Sequence, residues 1–164
     1  MSPQVNFDND ATQIGKFSSN LMTASLFSFI GLISHLENIP NFLIRKCMLF
    51  LMRDDIEPIW EDPQNCKGGS FSYKVFNEKL PILWRELCYT MVCEGLSKDH
   101  NILSKINGIS VSPKKNVSII KIWMADCETR DIRKFKMHKD LIEKKVIFKA
   151  HKIIPKEVGQ QDTT

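Results

Sequence analysis

The chain has 164 residues, 43% hydrophobic and 26% charged, with a formal net charge of +4 and a pI near 8.8. This balance describes one globular domain with enough chain to bury a core, and it excludes a disordered or fibrous polymer. The mild basic excess admits an anionic partner without requiring one.

Residues 1–10 (MSPQVNFDND) are polar and expected to be loosely held, as are about 155–164, which end in VGQQDTT. Phe17 to Leu36 carries no formal charge, but Ser18, Ser19, Asn20, Thr23, Ser25, Ser28, Ser34 and His35 interrupt it. A membrane-spanning helix wants about 20 predominantly apolar residues, so no membrane span is expected. Ser25 to Leu36 is apolar at helical spacing, with Ser25 as the candidate N-cap and Pro40 as the stop. The apolar run Cys47 to Met52 predicts a buried strand, and the alternation in Ser70 to Val75 predicts another.

Asn77 to Cys93 is the clearest helix. Asn77 is its candidate cap and Pro81 falls early. Leu80, Leu83, Trp84, Leu87 and Met91 line one face, and Gly95 ends it. Gly108 to Ser112 and Val117 to Met124 predict a hairpin whose turn, SPKKN, carries two lysines. Asp131 to Lys145 predicts a strongly basic helix offering Ile132, Phe135, Leu141 and Ile142 to the core. Val146 to Phe148 predicts one more strand. Strands and helices interleaved with a hairpin make an α+β fold, a single domain over residues 1–164 with helices on one face of a sheet.

The five cysteines (Cys47, Cys66, Cys88, Cys93 and Cys127) are odd in number, and no pair has C-x-x-C spacing. The four histidines form no ligand cluster. The expectation is a reduced, cytoplasmic protein without metal or cofactor.

The stretch IEPIWEDPQNCKGG, residues 56–69, sets a Trp beside a Glu between turn signals. A loop indole is a platform for a nucleic-acid base, with stacking worth roughly 1–3 kcal/mol. A cationic base adds a cation–π attraction of about 0.5–2 kcal/mol. The neighbouring carboxylate of Glu61 can accept two parallel N–H bonds from the Watson–Crick edge of guanine. Lysines on the hairpin would meet phosphates. A methylated guanine with a phosphate tail, the mRNA cap, satisfies all of these.

These residues closely resemble the eukaryotic translation initiation factor 4E family, whose motif runs Gly-Ile-Glu-Pro-x-Trp-Glu-Asp into Gly-Gly. ILWRELC is similar to the family's Phe-Trp-x-Glu-x-Leu helix. IIKIWMADCETRD is similar to its strand ending in Ile-Trp. The resemblance covers roughly residues 50–148, more weakly 7–36, and implies a curved, mainly antiparallel sheet with about three helices on its convex face. It implies that Trp60 is a cap-stacking Trp, Glu61 the guanine reader, Trp123 the contact to the N7-methyl group and Lys114 a phosphate contact. Alignment through IGKF (14–17) places Phe7 where the family has its other stacking Trp. Asn116 and Ile119 stand where the family has phosphate-binding lysines, so Lys115, Lys121 or the basic helix would have to compensate. The N-terminal strand of the family is not recognised in the sequence, and about six extra residues, Ser18 to Thr23, precede the first helix.

The resemblance also implies a second surface. In the family, a Trp of the first helix, with a Trp and a Glu of the second, grips an amphipathic helix of a scaffold or repressor protein. Trp84 and Glu86 fit the second-helix pair, while Ile30 and Ile33 replace a Trp and a Tyr. The expected partners are therefore capped mRNA and, through the convex helical face, a scaffold or repressor, for a monomer acting in translation initiation. A cap-binding decoy that recruits no scaffold is the alternative. A general single-stranded RNA binder using the basic segment 133–145 is another. An enzyme with Cys66 or Cys93 as nucleophile and His35, His100, His138 or His151 as base has no recognisable motif behind it.

Each residue also has a plainer reading. Trp84 at helical spacing suits a core, Trp123 suits an ordinary strand, and Phe7 suits an anchor for a loose terminus. Lys114 and Lys115 suit a solvated hairpin tip, and Glu86 beside Arg85 suits an ordinary helix surface.

Overall fold

The computed structural model describes residues 12–17, 26–53, 55–136 and 146–151. The elements run β1 (Thr12–Phe17), α1 (Leu26–Asn38), α2 (Asn41–Ile44), β2 (Leu49–Arg53), β3 (Gly69–Phe76) and α3 (Leu80–Val92). They continue with α4 (His100–Leu103), β4 (Ile106–Pro113), β5 (Val117–Met124), a short 3-10 turn at Ile132–Lys134, and β6 (Ile147–Ala150). The six strands form one sheet in the order β1-β2-β4-β5-β3-β6. β1 pairs parallel to β2, and the other neighbours are antiparallel.

Side chains alternate across the strands, and the alternation sorts them into two cores. Leu49 and Leu51 of β2, Ile109 and Val111 of β4, Ile120, Ile122 and Met124 of β5, and Phe71, Tyr73 and Val75 of β3 share the main core. That face is covered by helices: Leu36 from α1, Ile44 from α2, Leu80, Leu83, Trp84, Leu87 and Met91 from α3, and Ile102 and Leu103 from α4. Burying such a side chain contributes roughly 1.5–3 kcal/mol, so this layer holds most of the stability. The opposite face carries Phe50, Met52 and Trp123 in a smaller apolar cluster, with polar side chains and the exposed Phe76 and Ile147 beyond it.

α3 takes Pro81 in its first turn, as its missing N–H allows. Asn77 does not cap it. The N-cap is Lys79, without a side-chain cap bond. The Asn77 amide instead donates to the carbonyls of Lys114 and Lys115, and its oxygen accepts from Ser118 Oγ, so it pins the base of the β4–β5 hairpin. At the other end, Gly95 is not the left-handed residue. Glu94 is, at φ 52°. The Glu94 N–H donates to Met91 O and the Gly95 N–H to Thr90 O, which satisfies the last carbonyls of the helix.

The basic helix expected from Asp131 begins differently. Asp131 caps the 3-10 turn through Arg133 N, and Phe135 forms a bridge to Ser97 and enters the main core. Ser97 Oγ donates to Lys134 O, and the Lys136 N–H to Leu96 O. Residues 131–136 are thus pinned to the chain after α3, which breaks the helical path. Residues 137–145 lie outside the described residues, as do Phe7, Ser25, the segment 18–23, residues 1–10 and residues 155–164. No described helix is long and apolar enough to cross a membrane.

Candidate functional site

The open face of the sheet is built around Trp123. It sits on β5, only 7% exposed, with Phe50 tilted against it at 6.5 Å between ring centroids. Its indole N–H donates to Ser110 Oγ at 2.9 Å, so the buried polar end is satisfied and the ring plane is fixed. Ile56 and Met52 complete the cluster, and Trp60 packs against it from the β2–β3 loop.

That loop is held by two buried polar residues. Asp62 accepts from Glu57 N and Gln64 N. Asn65, fully buried, donates to the carbonyls of Glu57 and Ile59, and its side-chain oxygen accepts from the Asn107 amide. Asn107 in turn donates to Gln64 O. The loop that displays Trp60 is therefore built by its own side chains rather than left to solvent. Gly68 and Gly69 close it because side chains do not fit there. A Cβ on Gly68 would land on the carbonyl of Met124, and one on Gly69 would lie 2.6 Å from the Phe148 ring and 2.7 Å from Lys149 O. The two glycines let β3 enter between β5 and β6.

β6 supplies the remaining wall. His151, just after it, donates its backbone N–H to Gly68 O and holds Asn65 O with Nδ1 at 2.7 Å. A carbonyl only accepts, so Nδ1 carries the proton. The imidazole stands 5.2 Å from the Trp123 ring. Trp60, Ser70, Lys121, Trp123, Lys149, Ala150 and His151 enclose a cavity of about 320 Å³. Lys121 Nζ lies 5.9 Å above the Trp123 ring. Burial lowers the Lys121 pKa, and the nearby charges of Lys149 and Lys114 lower it further. Two aromatic surfaces thus stand beside like charges that repel one another, an arrangement suited to a flat ring carrying an anionic tail.

Of the residues singled out in the sequence, Trp60 and Trp123 meet at this cavity. Glu61 follows Trp60 in the loop and is exposed, outside the cavity wall. Lys114 and Asn116 are exposed at the hairpin tip, with Lys114 close enough to act on Lys121. On the helical side, Ile30 is 56% exposed, Ile33 is half-buried and Glu86 is exposed. Trp84 is fully buried in the main core, and among the described residues its Nε1 has no hydrogen-bond partner.

Ser70, Lys149, Ala150 and His151 are lining residues that the sequence reading passed over. The alternation Ile147, Lys149, His151 was the available signal, since it puts these three on one face of β6.

Cys66 donates its thiol to Pro63 O, and His151 is engaged by Asn65. Among the described residues no group of His, Cys, Asp and Glu is placed to hold a metal ion. A second hollow, about 460 Å³, gathers Lys98, Arg133, Lys134 and Lys136 around Phe135. Phe135 is buried and Arg133 is paired with Asp131, so this hollow offers charge without an exposed ring for a base.

A sheet with helices on one face and an aromatic, lysine-edged cavity on the other makes an α+β domain with one candidate binding face. The family model "Eukaryotic initiation factor 4E" matches residues 2–162, and the chain belongs to that family. It is 40% identical over 62 residues to the eukaryotic translation initiation factor 4E homolog of Acanthamoeba polyphaga mimivirus, covering 38% of this chain and 23% of that protein. To the factor 4E-1A of Danio rerio it is 29% identical over 133 residues, covering 76% of this chain and 59% of the relative. The chain thus spans less than two thirds of the length of either curated relative. A solved schistosome eIF4E, in complex with m7GpppG and 4E-BP, shares the fold with a TM-score of 0.53 and 21% identity, covering 66% of this chain and 59% of that one.

Proposed function

We propose that this protein binds the 7-methylguanosine cap of messenger RNA and acts in translation initiation. The observation that carries this reading is the cavity bounded by Trp60 and Trp123 with Lys121 and Lys149 on its wall. Family membership and the cap-analogue complex of the schistosome relative support it.

N7 methylation leaves guanine positively charged. Such a base stacks on Trp60, and the indole quadrupole adds about 0.5–2 kcal/mol to the stack. Trp123, held by its bond to Ser110, presents an apolar surface to the methyl group. Glu61, next to Trp60, accepts the N1–H and N2–H of guanine in charge-assisted bonds worth about 1.5–3 kcal/mol each. The base keeps its positive charge near Glu61 and the indoles, and the phosphates lie toward the lysines. Phe7 is proposed as the facing ring, and Lys114 and Asn116 as outer contacts. Association entropy removes much of the gross attraction, so micromolar affinity, about −8 kcal/mol, is the expected range.

Tryptophan-fluorescence titration with 7-methyl-GDP against GDP tests the reading. Quenching that saturates with the methylated nucleotide roughly 2- to 30-fold more tightly is expected, the range given by one cation–π interaction of about 0.5–2 kcal/mol. Equal affinity for the two nucleotides, or no quenching at low salt, overturns it. Capped against uncapped RNA separates cap recognition from general single-stranded RNA binding.

The helical face adds a second proposal. A scaffold or repressor helix would meet the exposed Ile30, the half-buried Ile33 and Glu86, with Trp84 packing beneath. Burial of the Trp84 indole and the isoleucines of α1 favour weak recruitment, as in a cap-binding decoy.

A further inference from the structure

The strand register places a polar trough beside the aromatic cavity. Ser70 of β3 pairs with Trp123 on one side and Lys149 on the other. Ser72 pairs with Lys121 on one side and Ile147 on the other. Residues opposed in antiparallel pairs point to the same face, so Lys121, Ser72, Ser70 and Lys149 all share the face of Trp123. Lys121 and Lys149 are two strands and two residues apart, roughly 12 Å between Cα atoms by ordinary sheet spacings. Between them lie only two serines, the smallest hydroxyl side chains. The result is a groove floored by hydroxyls and walled by a lysine on each side, opening from the cavity that both lysines line.

Neither lysine forms an ion pair with a described residue, although Lys105 and Arg133 elsewhere in the chain do. Lys121 is half-buried and loses hydration there, next to cations rather than carboxylates. Such a pair works against the folded chain until an anion sits between its members. The hairpin tip is a poorer seat. Lys114 is exposed, Asn116 is neutral, and neither borders the cavity.

We propose that Lys121 and Lys149 are the phosphate clamp of this site, with the phosphate chain of the ligand lying over Ser70 and Ser72 along β5, β3 and β6 rather than over the β4–β5 hairpin. This rests on the nucleotide reading of the cavity, and it assigns the specificity for chain length to Lys121, which the sequence offered only as one of several substitutes, together with Lys149, which it did not mark. A diphosphate or triphosphate spans the trough, whereas a nucleoside leaves it empty.

The test uses the full chain and Lys121→Gln, Lys149→Gln, the double variant and Lys114→Gln, with thermal melts to confirm folding. The ligands are 7-methylguanosine, 7-methyl-GDP and inorganic triphosphate, followed by calorimetry. Each clamp substitution should weaken 7-methyl-GDP about tenfold or more, the worth of one charge-assisted bond. Nucleoside affinity should stay within about twofold, the usual scatter of a surface change. Lys114→Gln should cost less than either. Arginine at 121 or 149 should restore most of the loss.

A salt dependence that flattens in the double variant agrees with the clamp. Unchanged 7-methyl-GDP affinity in the double variant overturns the clamp and leaves the base reading standing. Triphosphate binding that depends on both lysines, without a preference for the methylated base, keeps the clamp and sinks the base reading. Absence of binding by all three ligands overturns both.

Discussion

Arg53 and Glu94 meet as fork and carboxylate, Nη1 to Oε1 at 2.6 Å and Nη2 to Oε2 at 2.8 Å. Arg53 ends β2 immediately before the Trp60 loop, and Glu94, just past the C-cap of α3, is in a left-handed conformation. The same guanidinium donates to the carbonyls of Ile106 and Leu103. One buried cation therefore ties the strand that leads into the site, the end of the main helix and the start of β4. Removing one partner of a buried pair costs about 3–5 kcal/mol, and this pair is near the lower end because Glu94 is partly exposed. Urea denaturation of Arg53→Ala should show a loss of about 3 kcal/mol. Arg53→Lys should recover little of it, since an ammonium cannot reproduce the two parallel bonds. A loss below about 1 kcal/mol would reduce the pair to the level of an exposed salt bridge.

Asn65 is the other keystone, and its loss should be felt in binding more than its size suggests. Asn65→Ala takes the side-chain donor from the Glu57 carbonyl and one of two partners from each of the Ile59 carbonyl and the Asn107 amide, which keep Asp62 N–H and Gln64 O. Unsatisfied buried groups cost about 1–3 kcal/mol each. Partial relaxation and water entry bring the expected destabilisation to about 2–3 kcal/mol. Affinity for 7-methyl-GDP should fall with it, because the loop holding Trp60 loses its frame. A variant as stable as the parent, with unchanged affinity, would show that the loop is held by its backbone alone.

These two ties explain how far the sequence carried. Trp60, Glu61 and the Gly-Gly that closes their loop form one contiguous stretch, and contiguous patterns are legible. So are the β4–β5 hairpin and α3, whose period is local. β1 was missed because TQIGKF is short, half polar and paired in parallel with a strand 37 residues on, as Thr12 with Leu49. Asn77 looked like a helix cap because nothing local reveals its bonds to Lys114 and Lys115. The basic run after Asp131 has helical composition, yet Ser97, far back in the chain, captures Phe135. Lys149 and His151 join the site only through the register of β6 on β3, which a single sequence does not encode visibly.

Substitution at the indole and the carboxylate should separate two contributions to affinity. Trp60→Ala should weaken 7-methyl-GDP by roughly 1–3 kcal/mol, the worth of one stacked base. Glu61→Gln should cost about 1.5–3 kcal/mol and remove the discrimination of guanine from adenine, since the amide presents only one acceptor. Fluorescence titration with 7-methyl-GDP and an N-methylated adenine nucleotide reads both. Retained guanine preference in Glu61→Gln would place the guanine reader elsewhere.

Tyr73 gives a prediction about pH. Its phenol is fully buried, its oxygen has no partner among the described residues, and burial pushes its pKa well above the usual value of 10.0. The folded form keeps its proton where the unfolded chain loses it. Stability associated with Tyr73 is therefore fully present below pH 10 and falls as pH rises beyond it, by up to about 1.4 kcal/mol per pH unit. Tyr73→Phe removes an unsatisfied buried hydroxyl and that slope together. Denaturation at pH 7 should find the variant equal or more stable by up to about 1 kcal/mol, and the gap should widen above pH 10. A gap that stays constant with pH would mean that Tyr73 ionises normally in the folded chain.

The helical face can be tested with a partner peptide. Trp84 is buried with its indole N–H turned inward, while Ile30 is exposed on α1 and Glu86 on α3. Aromatic hot spots carry about 2 kcal/mol or more each, and an isoleucine supplies neither the ring nor a donor to a backbone carbonyl. An amphipathic peptide of the Tyr-x-x-x-x-Leu-hydrophobic type should therefore bind the parent protein weakly. Ile30→Trp with Ile33→Tyr should tighten it by about tenfold or more, the return of one hot spot. Trp84→Phe should leave peptide affinity unchanged, because that ring acts from inside the core. Calorimetry on the three proteins decides between recruiter and decoy. Tight binding by the parent would mean that isoleucine suffices and that this face recruits a scaffold. A loss of affinity in Trp84→Phe, with an unchanged melting temperature, would mean that the indole turns outward to meet the peptide.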